Sequence, residues 1–399
     1  MHSAEPDPID PLDRAAQRRR DLPSSIFLPS ATLGRWILID VFILYSVACS
    51  ILFVAYVNPS LLGENGLSIA ADSNTYMQAA RTLDRSLIIS IPTLISFQGQ
   101  YLGPVMVARL LGSTINIAVF NCVIFFLGLY FASKLPKVAL GPLFFLLIAN
   151  PNTTVALLTL NKEIFAYISM ILFLRYISSE SRSLILLAFA LLTAMAARWE
   201  QCAVFVLFLA VDHRWSPLRD KHKTVLVAMV VAITVTWPLI VKTGIVDLAS
   251  LMSTVADAQS QSMPALNALQ ASYGFPVVLV PKLVGNLFGI PWRILASMLH
   301  PKDLTDIQGL IVAPFQNFTM LGVFLLAFFK KKLDLGRKSI YLMWIYLIVT
   351  AAAPIIQPRY EYPIYVLLSL EVSGLCSPVL AMPNRPGSVR RILTWLAAT

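Results

Sequence analysis

Charge is scarce in this chain, and acid is scarcer than base. Only 13% of its 399 residues are charged, with 21 acidic against 31 basic side chains, while 57% are hydrophobic. A water-soluble fold of this length could not cover that much apolar surface, which excludes the soluble globular class. The mean hydropathy of +0.72 agrees. Cysteine is scarce too. The four thiols, Cys49, Cys122, Cys202 and Cys376, fall in or beside apolar runs without metal-ligand spacing, and read as buried free thiols. The net charge of +10 comes from short basic clusters set between apolar runs, so nucleic acid is rejected as a partner. The first roughly thirty residues are polar and include Arg18, Arg19 and Arg20. They lack the short apolar core of a cleavable signal peptide, so the first long apolar run is expected to stay as an anchor. No internal repeat stands out, and the N-terminal tail reads as disordered from its proline and charge content.

What the chain does have is long apolar runs. A membrane-spanning helix needs roughly 20 apolar residues, fewer where it is sheltered. Runs near 36–57, 115–133, 138–151, 163–178, 183–197, 201–213, 224–243, 309–329, 338–355 and 363–382 meet that need. The expected class is all-α: a polytopic transmembrane helical bundle of about ten spans. A barrel would show short alternating segments instead.

Orientation follows from the basic clusters. Arg14 to Arg35, Lys134 with Lys137, Arg175 with Arg182, Arg214 to Lys223, Lys330 to Lys338, and Arg385 to Arg391 all fall on one side of the ten-span arrangement. That side is read as cytoplasmic, with both termini inside. The organisation is then a cytoplasmic tail at 1–34, a transmembrane domain at 35–383 and a second tail at 384–399. Two long extracytoplasmic loops, about 58–114 and 244–308, exceed ordinary connectors. The amphipathic stretch from Tyr76 to Leu83 and the apolar pieces at 87–96, 101–112 and 277–299 are expected to form interfacial or re-entrant helices.

With that topology, four separate segments deliver charge to the outer face. Asp72 and Tyr76 lie in the first outer loop. Asn161-Lys162-Glu163 opens the fourth span. Arg198-Trp199-Glu200 forms the turn between the fifth and sixth. Gln357-Pro358-Arg359-Tyr360-Glu361-Tyr362-Pro363 precedes the last. Each has a plain reading. Lys162, Arg198 and Arg359 can snorkel to head groups, Glu163 can serve its helix dipole, Tyr360 and Tyr362 can be belt aromatics, and Asp72 can cap a helix. Ionisable residues at span ends are nevertheless costly unless paired or solvated, and their convergence marks a substrate site. The chemistry that fits is sugar transfer from a lipid-phosphate donor. Asp72 would act as general base toward an acceptor hydroxyl, and Lys162, Arg198 and Arg359 would hold the leaving phosphate. Tyr76, Glu163, Glu200 and Tyr360 complete the candidate substrate-binding set.

At these residues the chain resembles the GT-C superfamily of integral-membrane glycosyltransferases. The carriers are Asp72-Ser73-Asn74-Thr75-Tyr76, the passage Tyr101 to Lys134 with Leu102-Gly103-Pro104 and Leu111-Gly112-Ser113, the run Leu184 to Val211 around Arg198, and Gln357 to Pro363. The likeness covers most of 36–382. It implies a polyprenyl-phosphate-linked sugar donor, a glycan or lipid acceptor, inverting transfer, Asp72 as base, and a bacterial inner membrane as the setting. The family often pairs two acids in its first outer loop. Here Ser73 follows Asp72, so no cofactor is assigned and a divalent metal is left open. Asn161-Lys162-Glu163 is also similar to polysaccharide polymerases of the O-antigen polymerase type, which implies a larger role for Arg198 and Arg359. A flippase or transporter is the third alternative. It would place charge near span centres, whereas here charge sits at span ends.

Overall fold

The computed structural model describes residues 76–77, 79–81, 102–179, 182–213, 215–219, 221–242, 262–289, 313–353 and 358–374. All belong to one compact unit, Ala48–Thr399. The described residues are 83% helical without a strand, which establishes the all-α class. The expected first span at 36–57, both tails and Asp72 lie outside the described residues.

Thirteen α-helices are described. They are α1 Leu102–Leu111, α2 Thr114–Ala132, α3 Leu140–Ala149, α4 Pro151–Leu158, α5 Glu163–Ser178, α6 Leu184–Ala197, α7 Trp199–Asp212, α8 His222–Lys242, α9 Ser262–Tyr273, α10 Phe275–Phe288, α11 Ala313–Phe329, α12 Lys338–Ala352 and α13 Tyr362–Ser373. A single 3-10 turn, Pro358–Glu361, leads into α13. Helices stand at every described apolar run expected to span. No single described helix is long and apolar enough to cross a membrane. Only α3 and α4 pass that test, as a pair bent by 84°.

The bend is written locally. Pro151 suits the first turn of a helix, where no amide donor is needed, and the Asn150 side chain accepts from the Asn152 amide at 2.9 Å to cap α4. The far end of α4 leaves carbonyls without helical partners. Asn121 of α2 donates to the Ala156 and Thr159 carbonyls, each at 2.9 Å, and so holds the entry to α5.

Helices α5 and α13 form the centre and are buried nearly all round, as an evenly apolar helix requires. Helix α5 packs against α2, α6 and α13, while α12 packs on α7, α8 and α10. The Phe173 and Phe205 rings stack at 4.0 Å between α5 and α7, and Phe208 meets Phe173 edge-on at 5.7 Å. Gln201 ties the same two helices by donating to the Ala166 carbonyl and to the Ser169 hydroxyl. Gly128 is dictated by contact: a Cβ there would stand 2.3 Å from the Tyr167 ring. The outer helices expose apolar side chains, with Val119, Val123 and Phe126 on α2, Val227, Val231 and Val235 on α8, and Phe315 and Phe318 on α11.

The helix ends sort into two sets. At one, Arg175 donates to the Lys134 carbonyl at 2.6 Å, Lys338 pairs with Asp212 at 2.7 Å, Arg182 lies 3.7 Å from Asp212, and Arg337 pairs with Glu371 at 2.9 Å. Among the described residues, the basic clusters at 134–137, 175–182 and 330–338 are therefore tied together at one end of the bundle; those at 14–35 and 385–391 lie outside the described residues. The start of α5, the α6–α7 turn, the end of α12 and the start of α13 meet at the other.

Candidate functional site

Arg198 is the single extended residue between α6 and α7, with φ −161° and ψ 130°. That kink turns its side chain across the start of α5, where Glu163 occupies the first helical turn. Arg198 Nη2 lies 3.0 Å from Glu163 Oε1, and their side chains are only 6% and 3% exposed. Burial lowers the Arg198 pKa while Glu163 raises it, and the net shift is upward from the usual arginine value. Arg198 Nη1 donates to the Tyr360 carbonyl at 3.1 Å, and the Tyr346 hydroxyl donates to that same oxygen at 3.3 Å. Two donors, one from the α6–α7 turn and one from α12, thus fix the 3-10 turn.

The Tyr360 ring is the hub. Arg198 lies over it at 4.1 Å, Lys162 at 5.2 Å and Arg359 at 5.7 Å. All three are within cation–π range of one aromatic face or edge. Like charges this close repel, and Glu163 offsets one of them. Three cationic side chains gathered at one ring suit an anion with several acceptor oxygens, such as a phosphate. Lys162 and Arg198 are buried, whereas Arg359 is half-buried and is the most open of the three.

Of the residues read from sequence, Lys162, Glu163, Arg198, Arg359 and Tyr360 come together. Glu200, in the first turn of α7, joins them as a charged neighbour of Tyr346. Tyr76 is buried at 1% exposure in an apolar cluster with Val107, Ala108, Ile117 and Leu160. Leu160 is two residues from Lys162, so this part of the first loop is anchored beside the site. Arg109 fastens it further by donating to the Ala80 carbonyl at 3.0 Å. Asp72 lies outside the described residues.

Glu361 is a site residue that sequence reasoning passed over. It was visible inside Gln357 to Pro363, but the arginine and tyrosines drew the reading. The missed signal is an acid wedged between two tyrosines at the mouth of an apolar helix. Its exposure is 0%, and the Thr350 hydroxyl and Arg198 both act on its carboxyl. Burial pushes the Glu361 carboxyl up to about 8, against the opposing pull of the Thr350 hydroxyl and of Arg198. Glu361 therefore holds its proton at neutral pH.

Tyr362 follows, with its hydroxyl 2.9 Å from Thr153 Oγ1, which pins α4 to the start of α13. Among the described residues no three His, Cys, Asp or Glu side chains gather to hold a metal ion. The cluster gathers three cationic side chains at one aromatic ring, a chemistry suited to anions. No family model, curated protein or solved structure matches this chain.

Proposed function

We propose that this protein is a polytopic membrane glycosyltransferase that takes a sugar from a polyprenyl-phosphate-linked donor and passes it to a glycan or lipid acceptor at the extracytoplasmic face. The observation that carries the reading is the gathering of Lys162, Arg198 and Arg359 around the Tyr360 ring. These side chains come from three distant stretches of chain, at the end of the bundle opposite the described basic helix ends.

Two further features support it. The outer helices turn valine and phenylalanine outward in rows, which suits a hydrocarbon surround better than water. The basic helix ends collect at one pole, as cytoplasmic loops do. The donor tail would lie in lipid beside those rows and bring its phosphate to the polar end.

In this mechanism Arg359 and Lys162 hold the phosphate. Positive charge fixed beforehand stabilises the leaving group as the glycosidic oxygen takes up charge. Arg198 is tied to Glu163 and to the Tyr360 carbonyl. It holds the ring that organises the other two cations. Asp72 takes the proton from the acceptor hydroxyl.

The test is transfer of a labelled sugar from a polyprenyl-phosphate donor by the purified full-length protein. Asp72→Asn is expected to abolish transfer while donor binding persists, and wild-type turnover in that variant would remove the base assignment. Arg359→Ala is expected to raise the donor Kd. A ladder of repeat units in place of single-sugar addition would point to a chain polymerase.

A further inference from the structure

The turn between α7 and α8, at the pole away from the Tyr360 cluster, has no role in the reading above. Trp215 is 78% exposed there and Leu218 38%. Among the described residues every other large, exposed apolar side chain lies on a helix, where a hydrocarbon surround accounts for it. Trp215 and Leu218 lie off the helices. The same stretch, His213 to Lys223, carries Arg214, Arg219, Lys221 and Lys223 against a single acid, Asp220. Arg219, Lys221 and Lys223 are exposed. Lys221 and Lys223 stand at the start of α8, whose first turn holds no acid. Cations oppose the helix dipole at that end, so helix stability does not account for them.

The turn is held in one shape. Asp212 before it pairs with Lys338 at 2.7 Å, and the His222 ring after it lies 4.2 Å from the Tyr341 ring. Both ends are thereby fixed to the first turn of α12. Within the turn the Ser216 amide donates to the His213 carbonyl and the Lys221 amide to the Leu218 carbonyl, each at 2.9 Å. The Leu218 amide donates to Ser216 Oγ at 3.3 Å. The outward side chains are therefore presented by a built backbone. An indole ring with a polar N–H suits the boundary between hydrocarbon and headgroups, and the cations beside it suit phosphate oxygens.

We propose that the 213–223 turn is a docking surface for anionic phospholipid headgroups of the leaflet at the basic pole. Trp215 and Leu218 seat at headgroup level, and Arg219, Lys221 and Lys223 pair with the phosphates. The proposal rests on the membrane reading above and not on the sugar chemistry.

The test is lipid binding by the full-length protein in a neutral detergent, with phosphatidylglycerol as the anionic probe and phosphatidylcholine as the zwitterionic one. Arg219→Gln with Lys221→Gln removes two exposed cations from the turn. Lys330→Gln with Lys331→Gln removes two exposed cations from another basic cluster at the same pole and serves as the control. The first pair is expected to weaken phosphatidylglycerol binding by about 25-fold, about fivefold for each cation, and to leave phosphatidylcholine unchanged. The control pair is expected to change neither lipid by more than about twofold. Equal loss in the two double variants means that the pole attracts anionic lipid diffusely, which overturns the proposal and leaves the membrane reading intact. Trp215→Ala is expected to weaken both lipids by the same factor, and no change with either overturns the proposal. A full-length protein that stays monodisperse without detergent removes the membrane reading and this proposal together.

Discussion

Arg198 and Glu163 face each other at 3.0 Å with almost no solvent on either side chain, across the junction of α5 with the α6–α7 turn. A buried pair like this contributes little net stability, because desolvation offsets the attraction. Its consequence appears when one partner is removed, since the other charge is then stranded.

Arg198→Ala is therefore expected to destabilise the protein by about 3–5 kcal/mol. The double variant Arg198→Met with Glu163→Gln, which removes both charges at similar volume, should recover most of that loss. Thermal unfolding in detergent reads both. If the double variant is as unstable as Arg198→Ala, the ion pair is not what holds the junction, and the bond to the Tyr360 carbonyl becomes the main tie.

Tyr360 separates ring from hydroxyl. Three cations stand around the ring, and the structural bonds at this residue go to its backbone carbonyl. Tyr360→Phe should keep phosphate affinity within about twofold. Tyr360→Leu should lose about tenfold, in keeping with one to two kcal/mol of cation–π attraction. Isothermal titration with an isoprenyl phosphate distinguishes these outcomes, and equal loss in both variants would assign the role to the hydroxyl.

Much of this site was legible in the sequence because charge is so scarce there. In a chain with 13% charged residues, each acid or base at the edge of an apolar run stands out, and Lys162, Glu163, Arg198 and Arg359 were found that way. Helix positions were legible for the same reason, since apolar runs of helical length end at polar turns. The α3–α4 bend was not. The expected span at 138–151 stops where Asn150-Pro151-Asn152-Thr153-Thr154 turns polar, and only the capping bond and the reach of Asn121 show that a second helix follows there. Glu361 was hidden for a different reason. Its importance lies in what surrounds it, and α10 and α11 reach its turn from distant parts of the chain.

Asn121 links that bend to the site. Its amide serves the last carbonyls of α4 just before Lys162 and Glu163 enter α5. Asn121→Leu should cost about 1–3 kcal/mol, because the Ala156 and Thr159 carbonyls lose their donor. It should also lower phosphate affinity without touching a charged residue. Affinity equal to wild type, measured at a temperature where the variant is fully folded, would show that the 159–163 turn holds its place without Asn121.

The last prediction concerns stability against pH. In the folded protein Glu361 titrates near 8, and in an unfolded chain near its ordinary value of 4.5. Below the unfolded value both states are protonated, and the residue makes no difference between them. Between the two values the unfolded chain has released the proton and the folded one has kept it. Folding then takes up a proton, and stability falls as pH rises until it levels off above about 8. Glu361→Gln cannot ionise. It should match wild type near pH 4.5 and exceed it by a few kcal/mol near pH 9, the order expected for a shift of several pH units. Thermal midpoints of the two proteins across that range give the answer. A constant difference between the curves would mean that Glu361 is ionised in the folded state, with a cation beside it that balances the charge.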